Sequence, residues 1–251
     1  MLLSPAESAK HLTEDGFVIL NDLFSEEEIR PVSEEIDGVI GGRADYVPAR
    51  DLIYEPGSDP PQLRNAFRLH QHHPMFRELA RNPKITRVLE AALGQPLRLY
   101  SSQLFAKPAR VGTVVPKHQD VAYWPFEPYE LVTAWIALDD TTVDNGCVRF
   151  LVGSHRLGLL PHELSGVQGN SLEVKKDPRL AALPEKAAEA RRGSCILHHC
   201  LTVHRSEPNR SPHPRRGLAY IYMSPRVRLT DPSQIKGPAD FPILSELAES
   251  P

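Results

Sequence analysis

The chain is poor in cysteine, in aromatic residues and in charge imbalance, and it has no long apolar run. Cys147, Cys195 and Cys200 are the three cysteines among 251 residues. An odd, sparse count excludes a disulfide framework and suits a reducing cytoplasm. The formal net charge is -3, with no basic run and no interleaving of aromatic and basic residues. Nothing therefore marks a nucleic-acid partner. No segment approaches the ~18 uninterrupted apolar residues of a membrane span. The first residues, Met1 to Glu7, lack the charged start and apolar stretch of a secretory signal, so no secretion is expected. The sequon Asn209-Arg210-Ser211 then carries no weight. Repeats, low-complexity stretches and dividing linkers are also absent, which leaves a single domain over residues 1–251 as the expectation.

What the chain has in abundance is proline, 24 residues of it, within a globular composition of 41% hydrophobic and 24% charged residues. Frequent proline favours many short elements joined by fixed turns over long helices. The N-terminal part, about 1–95, reads as mainly helical. A short helix is expected over residues 5–15, then a β-type run Phe17-Val18-Ile19-Leu20. Ser25 with Glu28 forms a capping box, and Ile29, Val32, Ile36 and Ile40 give the following helix its apolar stripe. Pro31 inside it should bend that helix or shift its start. Residues 43–62 read as a long polar loop, and residues 64–80 as the approach to a surface helix. Asn82-Pro83 caps a further helix that ends at Gly94.

From about residue 96 to 228 the pattern changes to short β-rich runs: 97–106, 111–115, 131–138, 146–152, 194–197, 201–205 and 217–223. Each is bounded by turn-forming residues. Many short strands with turns between them predict a sandwich or barrel, with the earlier helices packed on one face. The fold class is thus mainly β with flanking helices.

The chemistry centres on His118-Gln119-Asp120. On a strand, the period of two would put the imidazole and the carboxylate on one face. With one more histidine they would form the facial triad of a non-heme iron site. A lone His-x-Asp is more often a hydrogen-bonded or surface pair. Three further blocks stand downstream: Thr133-Ala134-Trp135; Asn145-Gly146-Cys147 running to Gly153-Ser154-His155; and His204-Arg205-Ser206 with Asn209, followed by Arg215-Arg216. A rival set also exists, since Cys195, His198, His199, Cys200 and His204 crowd within ten residues, but their spacing fits no closed zinc motif.

Taken in order, these four blocks resemble the phytanoyl-CoA dioxygenase family of iron(II)- and 2-oxoglutarate-dependent oxygenases. The resemblance is strongest over about 97–225, and Asp15-Gly16-Phe17-Val18 also fits the family's opening. It implies a double-stranded β-helix, a cupin-like jelly roll. It implies His118, Asp120 and His204 as ligands of Fe(II), with positions left for 2-oxoglutarate and O2. By the same resemblance Arg215 would hold the distal carboxylate of 2-oxoglutarate, with Ser206 donating to it and Trp135 lining its pocket. Gln103 and Arg64 match looser co-substrate positions. Which of Arg215 and Arg216 points inward is a question of strand parity, and the spacing favours Arg215.

The implied reaction is hydroxylation of a small molecule with release of succinate and carbon dioxide. Because Asp120 is present, no slot is open for a halide, and halogenation is not expected. Tyr123, Trp124, Arg149 and His155 could line a substrate pocket or serve as packing, and 43–62 and 155–190 are the candidate lid loops. A catalytically silent cupin that binds a small acid and a zinc-dependent hydrolase remain as alternatives. The sequence contains nothing that sets an oligomeric state.

Overall fold

A computed structural model describes residues 3–167, 170–234 and 241–247. The chain opens with α1 (Pro5–Asp15), β1 (Phe17–Leu20) and α2 (Glu26–Ile40). Ser25 and Glu28 satisfy each other's amides at the start of α2, as the capping box requires. Pro31 neither ends α2 nor shifts its start, because the lost N–H removes only one bond from a helix held by its buried stripe of Ile29, Val32, Ile36 and Val39. The edge strand β2 (Leu52–Tyr54) and its neighbour β3 (Leu63–Phe67) follow, then α3 (Leu69–His72), α4 (Pro74–Ala80) and α5 (Pro83–Leu93).

The β region runs through β4 (Arg98–Lys107), β5 (Val115–His118), β6 (Phe126–Glu127), β7 (Leu131–Ala137), β8 (Val148–Leu151), β9 (His162–Val167) and β10 (Asn170–Val174). After α6 (Pro178–Ala181) come β11 (Glu185–Ala187), β12 (Cys195–His199), β13 (His204–Ser206), β14 (Arg215–Met223) and β15 (Arg228–Leu229). A seven-stranded antiparallel sheet has the order β1-β12-β7-β14-β4-β3-β2, and a four-stranded one the order β11-β8-β13-β5. No described helix is long and apolar enough to cross a membrane.

Strand alternation explains why the large sheet can be covered on both faces. On β7, Val132, Ala134 and Ile136 enter the same core as the helix residues Ile36, Ile85 and Leu89, while Trp135 and Ala137 point the other way. On β14, Leu218, Tyr220 and Tyr222 join the helical side and Ala219 the opposite one. The two tyrosine hydroxyls donate to carbonyls at Phe76 and Ala80, which fastens α4 to the sheet without leaving a buried polar atom unpaired. The expectation of a jelly roll with helices on one face holds.

Three local expectations do not hold. The segment 43–62 is not all loop, since β2 pairs with β3 and extends the large sheet. Arg64 accordingly lies on a strand and not before a helix. The run at 111–115 is displaced, with β5 beginning only at Val115. In each case pairing with a distant strand decides the outcome, and local pattern does not contain that information.

Candidate active site

The two sheets face one another across a partly open cavity of about 80 Å³. From the large sheet it is lined by Gln103 and Phe105 of β4, Thr133 and Trp135 of β7, Ile196 and His198 of β12, and Arg215 of β14. From the small sheet come Val115 and His118 of β5, Val148 and Phe150 of β8, and His204, Arg205 and Ser206 of β13, with Asp120 just beyond β5.

His118 and His204 are cross-strand partners in the β5–β13 register, which brings their rings to 4.2 Å between centroids. Each ring is fixed by its Nδ1, which lies 2.9 Å from the Pro116 carbonyl in His118 and 2.9 Å from the Thr202 carbonyl in His204. A carbonyl can only accept, so both Nδ1 atoms carry the proton and both Nε2 atoms present a lone pair. Asp120 is not on the strand. It opens a short 3-10 turn, Asp120–Tyr123, and that turn still brings its carboxylate to the histidines. Asp120 Oδ1 lies 3.5 Å from the Nε2 of each. One donor atom from each of the three residues falls within 4.8 Å of the others.

The second carboxylate oxygen is engaged elsewhere. Oδ2 accepts from Thr133 Oγ1 at 2.8 Å and lies 2.9 Å from His198 Nε2. Burial pushes the Asp120 carboxyl up, but His204, His118 and His198 together outweigh it and hold it well below the usual range. Burial, followed by the neighbouring His118, pulls His204 down to about 3. Asp120 is therefore a carboxylate and His204 a neutral imidazole, with one carboxylate oxygen directed at the gap between the His118 and His204 ring nitrogens.

Elsewhere on the cavity wall stands Arg215. It is buried, and among the described residues it makes no hydrogen bond or ion pair; its Nε is without a partner. Its guanidinium carbon sits 5.3 Å from the Trp135 ring. Burial lowers its pKa only to about 10, so it remains a cation at neutral pH. Its register partner Lys107 is also buried and donates from Nζ to the Thr113 carbonyl; burial, with Arg215 and Arg64 nearby, pulls its pKa down to about 6. Arg216 points the other way and pairs with Asp139 and Asp37. The parity question is thereby answered in favour of Arg215 facing the cavity.

Trp135 can lie across this wall because residue 217 has no side chain. A β-carbon on Gly217 would overlap the indole. Gly217→Ala should destabilise the protein by about 1–3 kcal/mol through overpacking. Thermal melts check this, and an unchanged melting point would show that the indole has room to move.

Gln103, Trp135, Ser206 and Arg215 thus line the same cavity as the His118–Asp120–His204 set. Arg64 does not. It forms a buried ion pair with Glu55 at 3.1 Å and bonds to Thr113 and Val114, because β2 delivers Glu55 beside it. The zinc-like crowd at 195–204 is dispersed: Cys195 packs on the helical side, Cys200 in a separate apolar cluster, and both are free thiols. Tyr123, Trp124, Arg149 and His155 are absent from the described cavity lining. Arg149 pairs with Glu185, and His155 lies 2.9 Å from the Thr13 carbonyl. Sequence reasoning names His198 only within the rival zinc set and misses its place beside Asp120. Its signal is the alternation of Ile196 and His198 along one face of β12, which settles which of His198 and His199 turns inward.

A model of the phytanoyl-CoA dioxygenase (PhyH) family matches residues 12–217. The chain belongs to this family. The ectoine dioxygenase of Sphingopyxis alaskensis is 26% identical over 248 residues, covering 93% of this chain and 80% of its own. The crystal structure of EctD from S. alaskensis with bound Fe superposes with a TM-score of 0.79 at 24% identity, over 99% of this chain and 85% of that one. The structure of EctD with 2-oxoglutarate and 5-hydroxyectoine gives a TM-score of 0.75 at 25% identity, over 88% and 76%. Family membership agrees with the jelly roll seen here.

Proposed function

We propose that this chain is an Fe(II)- and 2-oxoglutarate-dependent dioxygenase acting on a small molecule, with His118, Asp120 and His204 as the iron ligands. One observation carries the assignment: Asp120 Oδ1 and two lone-pair-bearing Nε2 atoms converge in a cavity that also contains an unpaired buried arginine. The donor set suits a divalent iron, since imidazole and carboxylate together bind it while leaving other positions free. Arg215 fits the distal carboxylate of 2-oxoglutarate, because a planar guanidinium offers two parallel donors to a carboxylate and here has nothing else to bind. Ser206, Trp135 and Gln103 line the same cavity and would flank the co-substrate. Arg64 would act at a distance, by holding Glu55 and the 113–114 segment.

Iron, 2-oxoglutarate and O2 bound there would supply oxidation of an unactivated C–H bond, with release of succinate and carbon dioxide. The protein's own part is to fix both imidazoles through their Nδ1 protons and to hold Asp120 by one oxygen. Thr133 and His198 occupy the other oxygen, so the carboxylate cannot swing away from the two histidines without losing two bonds. With the carboxylate present, the site has the ligand set of a hydroxylase rather than a halide slot. The whole chain would act as one oxygenase domain, a helical part of about 1–95 sharing its core with a jelly roll of about 96–228. The three free, buried cysteines favour a reducing compartment such as the cytoplasm.

Anaerobic titration with iron(II) and 2-oxoglutarate should produce a weak visible charge-transfer band. If no band forms and tightly held zinc is found instead, a hydrolase using the same three residues replaces this reading; binding of the acid alone points to a silent cupin. His198→Ala should weaken iron(II) binding by about 10–100-fold, as removal of a partner that orients a ligand does. A competition assay against a coloured chelator measures it, and unchanged affinity would show that Thr133 alone suffices to hold Asp120.

A further inference from the structure

The ligand pair is separated by a residue that the proposed chemistry does not use. Gln119 is wholly buried, and its side chain is fully engaged. Its Nε2 donates to the Leu201 carbonyl at 2.7 Å and to the Gly158 carbonyl at 2.9 Å, while its Oε1 accepts from the Leu160 amide at 2.8 Å. Its own amide donates to His162 Nε2 at 3.2 Å, and His162 Nδ1 lies 2.8 Å from the Leu160 carbonyl. One side chain thus ties together three segments. They are the His118–Asp120 pair, the turn before His204 and the root of the β9–β10 hairpin.

A second tie lies four residues on. The Tyr123 hydroxyl donates to the Leu172 carbonyl at 3.3 Å and accepts from the Leu172 amide at 3.1 Å. The Tyr123 ring stands edge-on to His118, 5.8 Å between centroids. The hairpin itself packs beside β5, the strand that carries His118. Both of its strands are therefore fastened to residues 119–123, the first at its root and the second at Leu172.

We propose that Gln119 is a positioning residue that makes the β9–β10 hairpin and the metal-binding residues one mechanical unit, with Tyr123 as the second fastening. The proposal rests on the assignment of His118, Asp120 and His204 as iron ligands. Fixing those three donors around a cation fixes Gln119 and Tyr123 with them, and the hairpin follows. Conversely, a molecule that displaces the hairpin displaces the ligand turn. The device has a cost if broken: without the Gln119 amide, two carbonyls and one N–H are left unpaired in the interior.

Hydrogen exchange on the full chain, without oxygen, tests this. In the wild-type protein, iron(II) with 2-oxoglutarate should slow exchange across His162–Val167 and Asn170–Val174 relative to the metal-free protein. In Gln119→Met and in Tyr123→Phe that ligand-dependent slowing should be lost or much reduced while the charge-transfer band still forms. The readout is the difference between loaded and unloaded protein, which a merely structural role would leave intact. If Gln119→Met does not fold, Tyr123→Phe, which removes a single hydroxyl, decides alone. A hairpin that stays as strongly protected on loading in the variants overturns the proposal. So does a wild-type protein that forms the band without any slowing. If the wild-type protein forms no band at all, the ligand assignment itself fails and this proposal falls with it.

Discussion

His118→Ala should reduce 2-oxoglutarate turnover to background while leaving the fold in place. The loss is large because Nε2 of His118 is one of only three protein donors, and its position is set twice, by the β5–β13 register and by the Pro116 carbonyl. Two remaining donors would hold iron far less firmly than three. The fold should survive because what is lost structurally is one hydrogen bond, worth about 0.5–1.5 kcal/mol net, and the packing of one ring. The strand ladder of β5 with β13 uses backbone groups and is untouched. Succinate release without added substrate gives the turnover, and circular dichroism with a thermal melt gives the fold. Turnover that persists in a folded variant would mean that His118 is not a ligand.

Arg215→Leu should raise the KM for 2-oxoglutarate steeply and leave the stability of the ligand-free protein equal or higher. Truncating one partner of a buried, hydrogen-bonded charge pair costs about 2–5 kcal/mol, or roughly 30-fold to several thousand-fold in affinity. The stability expectation has the opposite sign because Arg215 has no ion-pair or hydrogen-bond partner among the described residues. An unpaired buried cation is a burden on the ligand-free fold, and an apolar side chain of similar size removes it. Arg215→Lys should recover only part of the affinity, since an ammonium lacks the planar fork. Arg216→Ala is the control. If it, and not Arg215→Leu, raises the KM, the cavity-facing arginine has been assigned to the wrong residue. Its expected effect is instead a small loss of stability, from the ion pairs with Asp139 and Asp37.

Much of the architecture is legible in the amino-acid order alone. Helix starts at Ser25 and Asn82 are readable because a cap is a local chemical event. The β-rich runs at 131–138 and 217–223 are readable because burial on both sides of a strand leaves a local record. The candidate ligands are readable because two of them sit in one tripeptide and the third opens a block of fixed spacing. The misreadings share a cause. The strand at 52–54 has no strong pattern of its own and exists because β3 pairs with it. Arg64 looks free for a co-substrate because Glu55, which claims it, follows directly on that unrecognised strand.

The sequence by itself thus determined the fold class, the family and the set of residues from which a metal site could be drawn. It could do so because those depend on local periodicity and on short motifs. The tertiary structure alone decided which of two adjacent arginines faces the cavity, which of two adjacent histidines supports Asp120, and that Asp120 reaches the histidines from a turn rather than a strand. Each of these depends on the orientation of a backbone relative to partners tens of residues away, and a one-residue shift would reverse it. Gln119 shows the division most clearly. In the sequence it is the spacer between two ligands, and in the fold it is the residue that joins those ligands to the hairpin beside them.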